Sequence, residues 1–325
     1  MKGFAKAGTI GVLVFFGLLA GCGGSQQRFS PAAAGSAQLP AASHRSWIKA
    51  GASAGPLVYA GGYSASAGPV TFMFSYPDGK IVGTLDDVGE GMCSDAEGNV
   101  YLTHGNSATE YAHGGTTPIR TLRVAGSGMY NCSVDPTTGN VALTLDCPPC
   151  GYIDIAIFPP GSSKPLRLNS GNGAWTCGYD GSGNLFVNDS LGTALRELPR
   201  GSSDFQTILL DKQIGYIGQV QWDGKHMTLQ QLNHPGWIYR FSLSGTTAHI
   251  LTPTKFKMDI DSAGTSWIYG KSVVIPFSQK ETEPNELGIW PYPRGRRAIK
   301  LIRQLPSGDR GFGAVTISAA PSGSL

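Results

Sequence analysis

Charge is scarce in this chain: only 14% of its 325 residues are Asp, Glu, Lys or Arg. That argues against a coiled coil or an exposed helical bundle, whose surfaces need many interspersed acids and bases. No long amphipathic helical pattern is found either. Two catalytic signatures are missing, the Gly-x-x-x-x-Gly-Lys phosphate loop and the His-Glu-x-x-His metal helix. Gly51-Ala52-Ser53-Ala54-Gly55 spells a Gly-x-Ser-x-Gly pattern, but it stands in low-complexity sequence rather than at the strand-to-helix elbow that a hydrolase nucleophile needs.

What the chain has in quantity is turn chemistry, with 46 Gly and 21 Pro. This suits many short strands joined by tight turns. Six times a strand-like run ends in a turn that leads into a second short apolar run. Four copies are clear: Tyr76-Pro77-Asp78-Gly79, Phe158-Pro159-Pro160-Gly161, Leu198-Pro199-Arg200-Gly201 and Tyr292-Pro293-Arg294-Gly295. Tyr111-Ala112-His113-Gly114 and Phe241-Ser242-Leu243-Ser244-Gly245 are looser versions.

A second register runs through Asp95, Asp135, Asp180, Asp223 and Asp261, spaced by 40, 45, 43 and 38 residues. Such a period, with about four short strands inside it, predicts β-propeller blades. Positions three and one before each Asp share a strand face, and nine of these ten residues are apolar, Ser94 being the exception. Second strands are expected at Val100–Leu102, Val141–Leu143, Leu185–Val187, Met227–Leu229 and Trp267–Tyr269, with Leu57–Ala60 as an earlier relative that has no inner strand before it. The missing strand is supplied at the other end, by residues 312–318. The expectation is therefore all-β: a six-bladed β-propeller over residues 55–325, its ring closed by the C-terminal strand pairing in the first blade. An open β-sandwich is the competing architecture.

Lys2 and Lys6 precede an apolar run from Thr9 to Leu18, and Leu19-Ala20-Gly21-Cys22 matches a bacterial lipobox. The apolar run is shorter than the roughly 20 residues a membrane span needs. Residues 1–21 are thus expected to be a lipoprotein signal peptide, Cys22 to carry lipid (a palmitate-type anchor), and residues 22–54 to be a flexible tether. This places the protein at the bacterial cell envelope, facing the periplasm or the exterior. Removing Lys2 and Lys6 takes the 25 basic residues to 23 against 22 acids, or +1. No nucleic-acid partner is expected at that balance.

Beyond Cys22 five cysteines remain, so in an oxidising compartment at least one stays free or pairs between chains. Cys147-Pro148-Pro149-Cys150 is read as a local structural disulfide in a loop, ahead of a redox pair or two zinc ligands, because no helix N-terminus is signalled to activate a thiol. Cys132 and Cys177 occupy equivalent positions in successive blades and should not bond each other. Cys93 lies on the other strand face; whether it meets Cys132 depends on which face turns toward the next blade.

In a propeller, the loops between blades and those joining second to third strands share one face. Here they hold Glu90, Tyr130, Asn131, Asn172, Trp175, Tyr216 and Arg310, with His104, Asn106, Asn188, Asp189, Asn233, His234 and Trp237 in the second set. Aromatics mixed with amides suit a neutral, hydroxyl-rich or peptide ligand: a small molecule, a glycan or a protein. The plainer reading of each is a wedge between blades or a turn former.

Glu90-Gly91-Met92-Cys93-Ser94-Asp95-Ala96-Glu97-Gly98 resembles the Pro-Asp-Gly-Met-Cys-x-Asp-Ala-Glu-Gly stretch of the regucalcin and gluconolactonase propellers, and the blades at large are similar to NHL repeats. The resemblance implies a divalent cation such as calcium, with Glu90 in the place of the family's metal-binding and proton-transferring Asp and Asn172 in the place of one Asn. The family's Glu-Gly-Pro ligand motif has no counterpart. The first expectation is therefore a lipid-anchored, non-catalytic binding propeller, with a metal-dependent lactonase as the alternative and a structural envelope scaffold as the third.

Overall fold

A computed structural model describes residues 46–64, 68–146, 154–171, 173–189, 194–233, 236–257, 260, 262–279, 286–302 and 311–320. Cys22 and the leader, Cys147, Cys150, Asn172, His234 and Arg310 lie outside these residues. Among the described residues there is no α-helix, and the strands form six meanders. The first comprises Leu57–Ser64 (β2), Gly68–Ser75 (β3) and Ile81–Leu85 (β4), flanked by Val315–Ser318 (β26) inside and Trp47–Ile48 (β1) outside. The second runs Gly91–Ser94 (β5), Val100–His104 (β6), Ser107–Tyr111 (β7) and Pro118–Arg123 (β8), and the third Gly128–Val134 (β9), Val141–Asp146 (β10), Ile155–Phe158 (β11) and Leu166–Leu168 (β12). The fourth is Ala174–Tyr179 (β13), Leu185–Asp189 (β14), Leu195–Leu198 (β15) and Gln206–Leu210 (β16); the fifth is Ile217–Trp222 (β17), Met227–Gln231 (β18), Ile238–Ser244 (β19) and Thr247–Ile250 (β20). The sixth holds a split inner strand, Ser262–Ala263 (β21) and Trp267–Tyr269 (β22), then Ser272–Ser278 (β23), Glu286–Pro291 (β24) and Lys300–Ile302 (β25).

By unbroken hydrogen bonding there are five sheets, because a short parallel pairing of Leu209 with Thr247 and Leu210 with Ala248 fuses the outer edges of the fourth and fifth meanders. Packing nonetheless separates six blades. Six apolar clusters fill the six interfaces between neighbouring blades, and the inner strands β26, β5, β9, β13, β17 and β22 touch in that cyclic order. Strand alternation explains how each blade serves two interfaces. In β2, Leu57 and Tyr59 face the second blade, whereas Val58 and Ala60 face the sixth.

The ring is closed as the sequence predicts. Strand β26 lies antiparallel to β2, with Leu57 opposite Ser318 and Ala60 opposite Val315. Inner strands approach so closely that a Cβ at Gly91 would collide with the Tyr130 carbonyl, and one at Gly178 with the Val220 carbonyl. Glycine is what the geometry tolerates there.

The repeating Asp caps the turn between first and second strands. Asp95 Oδ1 accepts from the Asn99 amide at 2.7 Å and Asp180 Oδ1 from the Asn184 amide at 2.9 Å, while Asp135 and Asp223 accept from Thr137 and His226 in the same way. This is the local bonding by which Asp favours turns over strands.

Two expectations are corrected. Trp267–Tyr269 is the inner strand of the sixth blade, with Trp267 opposite Val274; the second strand is Ser272–Ser278. A tight turn through Gly270, with φ of 56°, reverses the chain directly after Tyr269. The fold also starts before residue 55: Trp47 and Ile48 pair with Thr84 and Gly83, adding a strand to the first blade. Ala52–Ala54 form a 3-10 turn whose Ser53 carbonyl binds His113 Nε2 at 3.0 Å, so the hydrolase-like pattern is not an elbow.

The cysteine question left open by the sequence resolves into a Cys93–Cys132 disulfide, Cα atoms 5.6 Å apart, sewing the second blade to the third. Cys177 is a buried free thiol. Burial pushes its pKa far up in the folded protein.

Candidate ligand-binding face

Antiparallel meanders put the blade-to-blade connections and the second-to-third-strand loops at one end of the ring, and the Asp-capped and Pro/Gly turns at the other. On the first face the structure brings together three predicted residues. Tyr130 on β9 stacks on Trp175 of β13, with ring centroids 6.3 Å apart and planes 24° apart. Trp175 meets Tyr216, just before β17, edge to face at 5.6 Å and 88°. One aromatic strip therefore crosses the third, fourth and fifth blades. Tyr130 is 43% exposed, and Trp175 and Tyr216 are half-buried.

Acids border this strip. The Tyr130 hydroxyl donates to Asp146 Oδ2 at 2.8 Å, at the end of β10. Burial, that bond, and the charges of Asp146 and Glu90 push the Tyr130 pKa up to about 12. Tyr216 is raised by burial and then by the Asp189 charge. Glu90 Oε1 lies 3.5 Å from His104 Nδ1, both side chains being about half exposed at 55% and 52%. Next to them is an open depression of about 550 Å³ lined by His104, Gly105, Asn106, Ser127 and Gly128. Asp146 is the cross-strand neighbour of Gly128, on which a Cβ would sit 3.6 Å from its own.

Other predicted residues serve the scaffold. Asn131 is 1% exposed, donating to Gln219 Oε1 at 3.2 Å and accepting from the Cys177 amide at 3.3 Å. Asn188 is fully buried: its Oδ1 accepts from the Thr176 amide at 2.7 Å, and its Nδ2 donates to the Ile217 and Gly218 carbonyls at 2.9 and 3.0 Å. Trp237 packs on the core between the fourth and fifth blades and carries Lys255 Nζ 4.1 Å over its ring. Among the described residues no three His, Cys, Asp or Glu side chains gather as metal ligands, so no metal-dependent step is derived. Asp146 went unnoticed in the sequence; it has no motif, and only its place at the end of a second strand puts it on this face.

No family model and no curated protein matches this chain. Solved structures do. A protein of unknown function from Bacteroides caccae superposes with a TM-score of 0.62 at 12% identity, covering 81% of this chain and 99% of that one. A chain of a nidogen/laminin complex gives 0.62 at 12% identity over 82% and 100%. The β-propeller domain of Cps50 (Swd1) from Myceliophteria thermophila gives 0.52 at 11% identity over 80% and 86%. The fold is a β-propeller. At such identities the likeness concerns the fold alone.

Proposed function

We propose that the protein is a lipid-anchored envelope propeller that binds a ligand or partner on the face carrying Tyr130, Trp175 and Tyr216, without catalysing a reaction. The observation that carries this reading is the aromatic strip itself. Three large rings from three different blades stand together at one end of the ring, with Tyr130 43% exposed, and a contiguous exposed aromatic patch marks an interaction site where a single exposed ring would not. Rings with polar edges supply contact area at little entropic cost on binding.

A peptide and glycan array probed with wild type and Trp175→Ala tests it. Ligands captured by the wild type and lost by the variant are the expected result; capture unaffected by the substitution overturns it. Anchoring through Cys22 is tested separately: wild type should fractionate with membranes and carry an acyl mass on Cys22, and Cys22→Ala should do neither.

The resemblance to regucalcin-type lactonases supplies a second reading, supported by Glu90 standing at the head of an inner strand on this same face. Metal analysis with a chelator-sensitive lactone assay tests it; no bound divalent metal and no such turnover would remove it.

A further inference from the structure

A cavity of about 140 Å³ lies inside the ring, apart from the aromatic strip. Its wall takes Ser94 from the second blade, Ser133 from the third, Tyr179 from the fourth, Gln219 and Trp222 from the fifth and Trp267 from the sixth. Five blades meeting around one space put it on the axis. Trp267 reaches across that axis, since it packs against the cluster between the second and third blades. Toward the aromatic strip, Gln219 Oε1 accepts from Asn131 Nδ2 at 3.2 Å, which joins the fifth blade to the third beside the inner strand of the fourth. At the other end the wall includes Pro136, the residue after turn-capping Asp135, so the cavity reaches the end of the ring that bears the Asp turns.

The lining selects for charge, size and polarity. Among the described residues the wall holds no Asp, Glu, Lys, Arg or His. Burial pushes the pKa values of Cys177 and Tyr179, which also line it, far up, so neither carries charge at neutral pH. A charged guest would therefore be desolvated without a counter-ion. The volume is that of a cavity that admits one benzene-sized molecule, and the indoles of Trp222 and Trp267 supply apolar surface for a ring. Two donors in the wall still have a hydrogen to give. Ser133 Oγ accepts from the Tyr179 amide at 3.0 Å, and its own hydrogen has no acceptor among the described residues. Gln219 is 3% exposed; its Nε2 donates to the Val220 carbonyl at 3.2 Å, and the second Nε2 hydrogen has no acceptor among the described residues. Buried donors of this kind normally have partners.

We infer that the axial cavity binds a small neutral ring compound of about phenol size, whose oxygen accepts from Ser133 and Gln219 while its ring lies against Trp222 and Trp267. This is a second site, independent of the face that carries Tyr130, Trp175 and Tyr216. The indoles supply contact area and the two donors fix orientation.

Titration of the full chain with phenol, benzoate and benzylammonium at neutral pH, followed by NMR of the indole N–H signals, tests this. Phenol is expected to shift the Trp222 and Trp267 signals saturably, with a Kd of about 0.01–1 mM for so small a ligand, and the two charged probes to leave them unmoved. Ser133→Ala should weaken phenol binding about 3- to 10-fold, Trp267→Phe should weaken it about as much by lost contact, and Trp175→Ala should leave it unchanged. Circular dichroism verifies that the variants stay folded, and the comparison of the three probes on the wild type needs no variant. No saturable shift up to about 10 mM phenol would mean that the cavity holds water only and overturns the inference. Benzoate or benzylammonium binding as tightly as phenol overturns the neutral chemistry. Phenol binding that Trp175→Ala abolishes, or that neither Ser133→Ala nor Trp267→Phe weakens, places the ligand outside the axis and overturns the site. The array ligands that depend on Trp175 are untouched by any of these results, so failure here and failure of the aromatic face are distinguishable.

Discussion

Ser133 and Cys177 stand across the interface of the third and fourth blades in the relationship that Cys93 and Cys132 hold across the second and third. Cys132 and Cys177 both lie three residues before a turn-capping Asp and face the preceding blade; Cys93 and Ser133 both lie two before it. Where the first pair forms a disulfide, the second has a hydroxyl in place of one sulfur, and Ser133 Oγ accepts from the Tyr179 amide at 3.0 Å instead.

Ser133→Cys should therefore close a second inter-blade disulfide with Cys177. Under non-reducing conditions the variant should lose two hydrogens by mass and unfold later, by up to about 2–4 kcal/mol less the roughly 1 kcal/mol of the lost hydrogen bond. Two alkylatable thiols at these positions after denaturation would contradict the equivalence.

Cys93→Ser removes the existing bridge. A loss of about 2–5 kcal/mol is expected, read as a lower denaturation midpoint, and reductant should lower the wild type by more than it lowers the variant, in which only the expected Cys147–Cys150 bridge is left to reduce. An equal reductant effect in wild type and variant would assign the stabilisation elsewhere.

His113 links the N-terminal segment to the ring closure. Its Nε2 meets the Ser53 carbonyl at 3.0 Å and its Nδ1 the Ser318 hydroxyl at 2.6 Å, and burial lowers its pKa. A depressed folded-state pKa means that the unfolded chain takes the proton first. The contribution is thus fully present above the unfolded value of about 6.5 and is lost as pH falls through the folded value. Unfolding midpoints measured from neutral pH downward should decline more steeply in wild type than in His113→Gln; parallel curves would refute it.

Asn188→Ala separates scaffold from site. The substitution strips the two bonds from Asn188 Nδ2 to the Ile217 and Gly218 carbonyls that join the fourth blade to the inner strand of the fifth, as well as the bond from the Thr176 amide within the fourth, and leaves buried partners unsatisfied, a cost of about 2–4 kcal/mol. Stability should drop while the folded protein keeps its ligand affinity. Lost affinity with unchanged stability would place Asn188 in the site.

Much of the architecture was legible because each blade repeats the same local physics. The Asp carboxylate that bonds its own turn, as at Asp95 and Asp180, leaves a visible residue at a fixed place. The sixth blade was misread because its inner strand is split, with Gly264 pressed against the Gly313 backbone, so Trp267–Tyr269 looked like a second strand. The site was legible only in part. Loop position picked out Tyr130, Trp175 and Tyr216, yet gave Asn131 and Asn188 equal standing, since an amide at the end of a strand looks the same whether it faces solvent or bonds a neighbouring blade. Asp146 was invisible because its partner is set by blade packing rather than by spacing.

The central claim is that function resides on the face bearing the aromatic strip. Hydrogen exchange of the protein with and without a captured ligand tests it most directly. Protection confined to residues 103–107, 128–131, 174–176 and 215–217 is the predicted result. Protection at the opposite end, around the turns at 77–79, 199–201 and 293–295, with none on the strip, would contradict it.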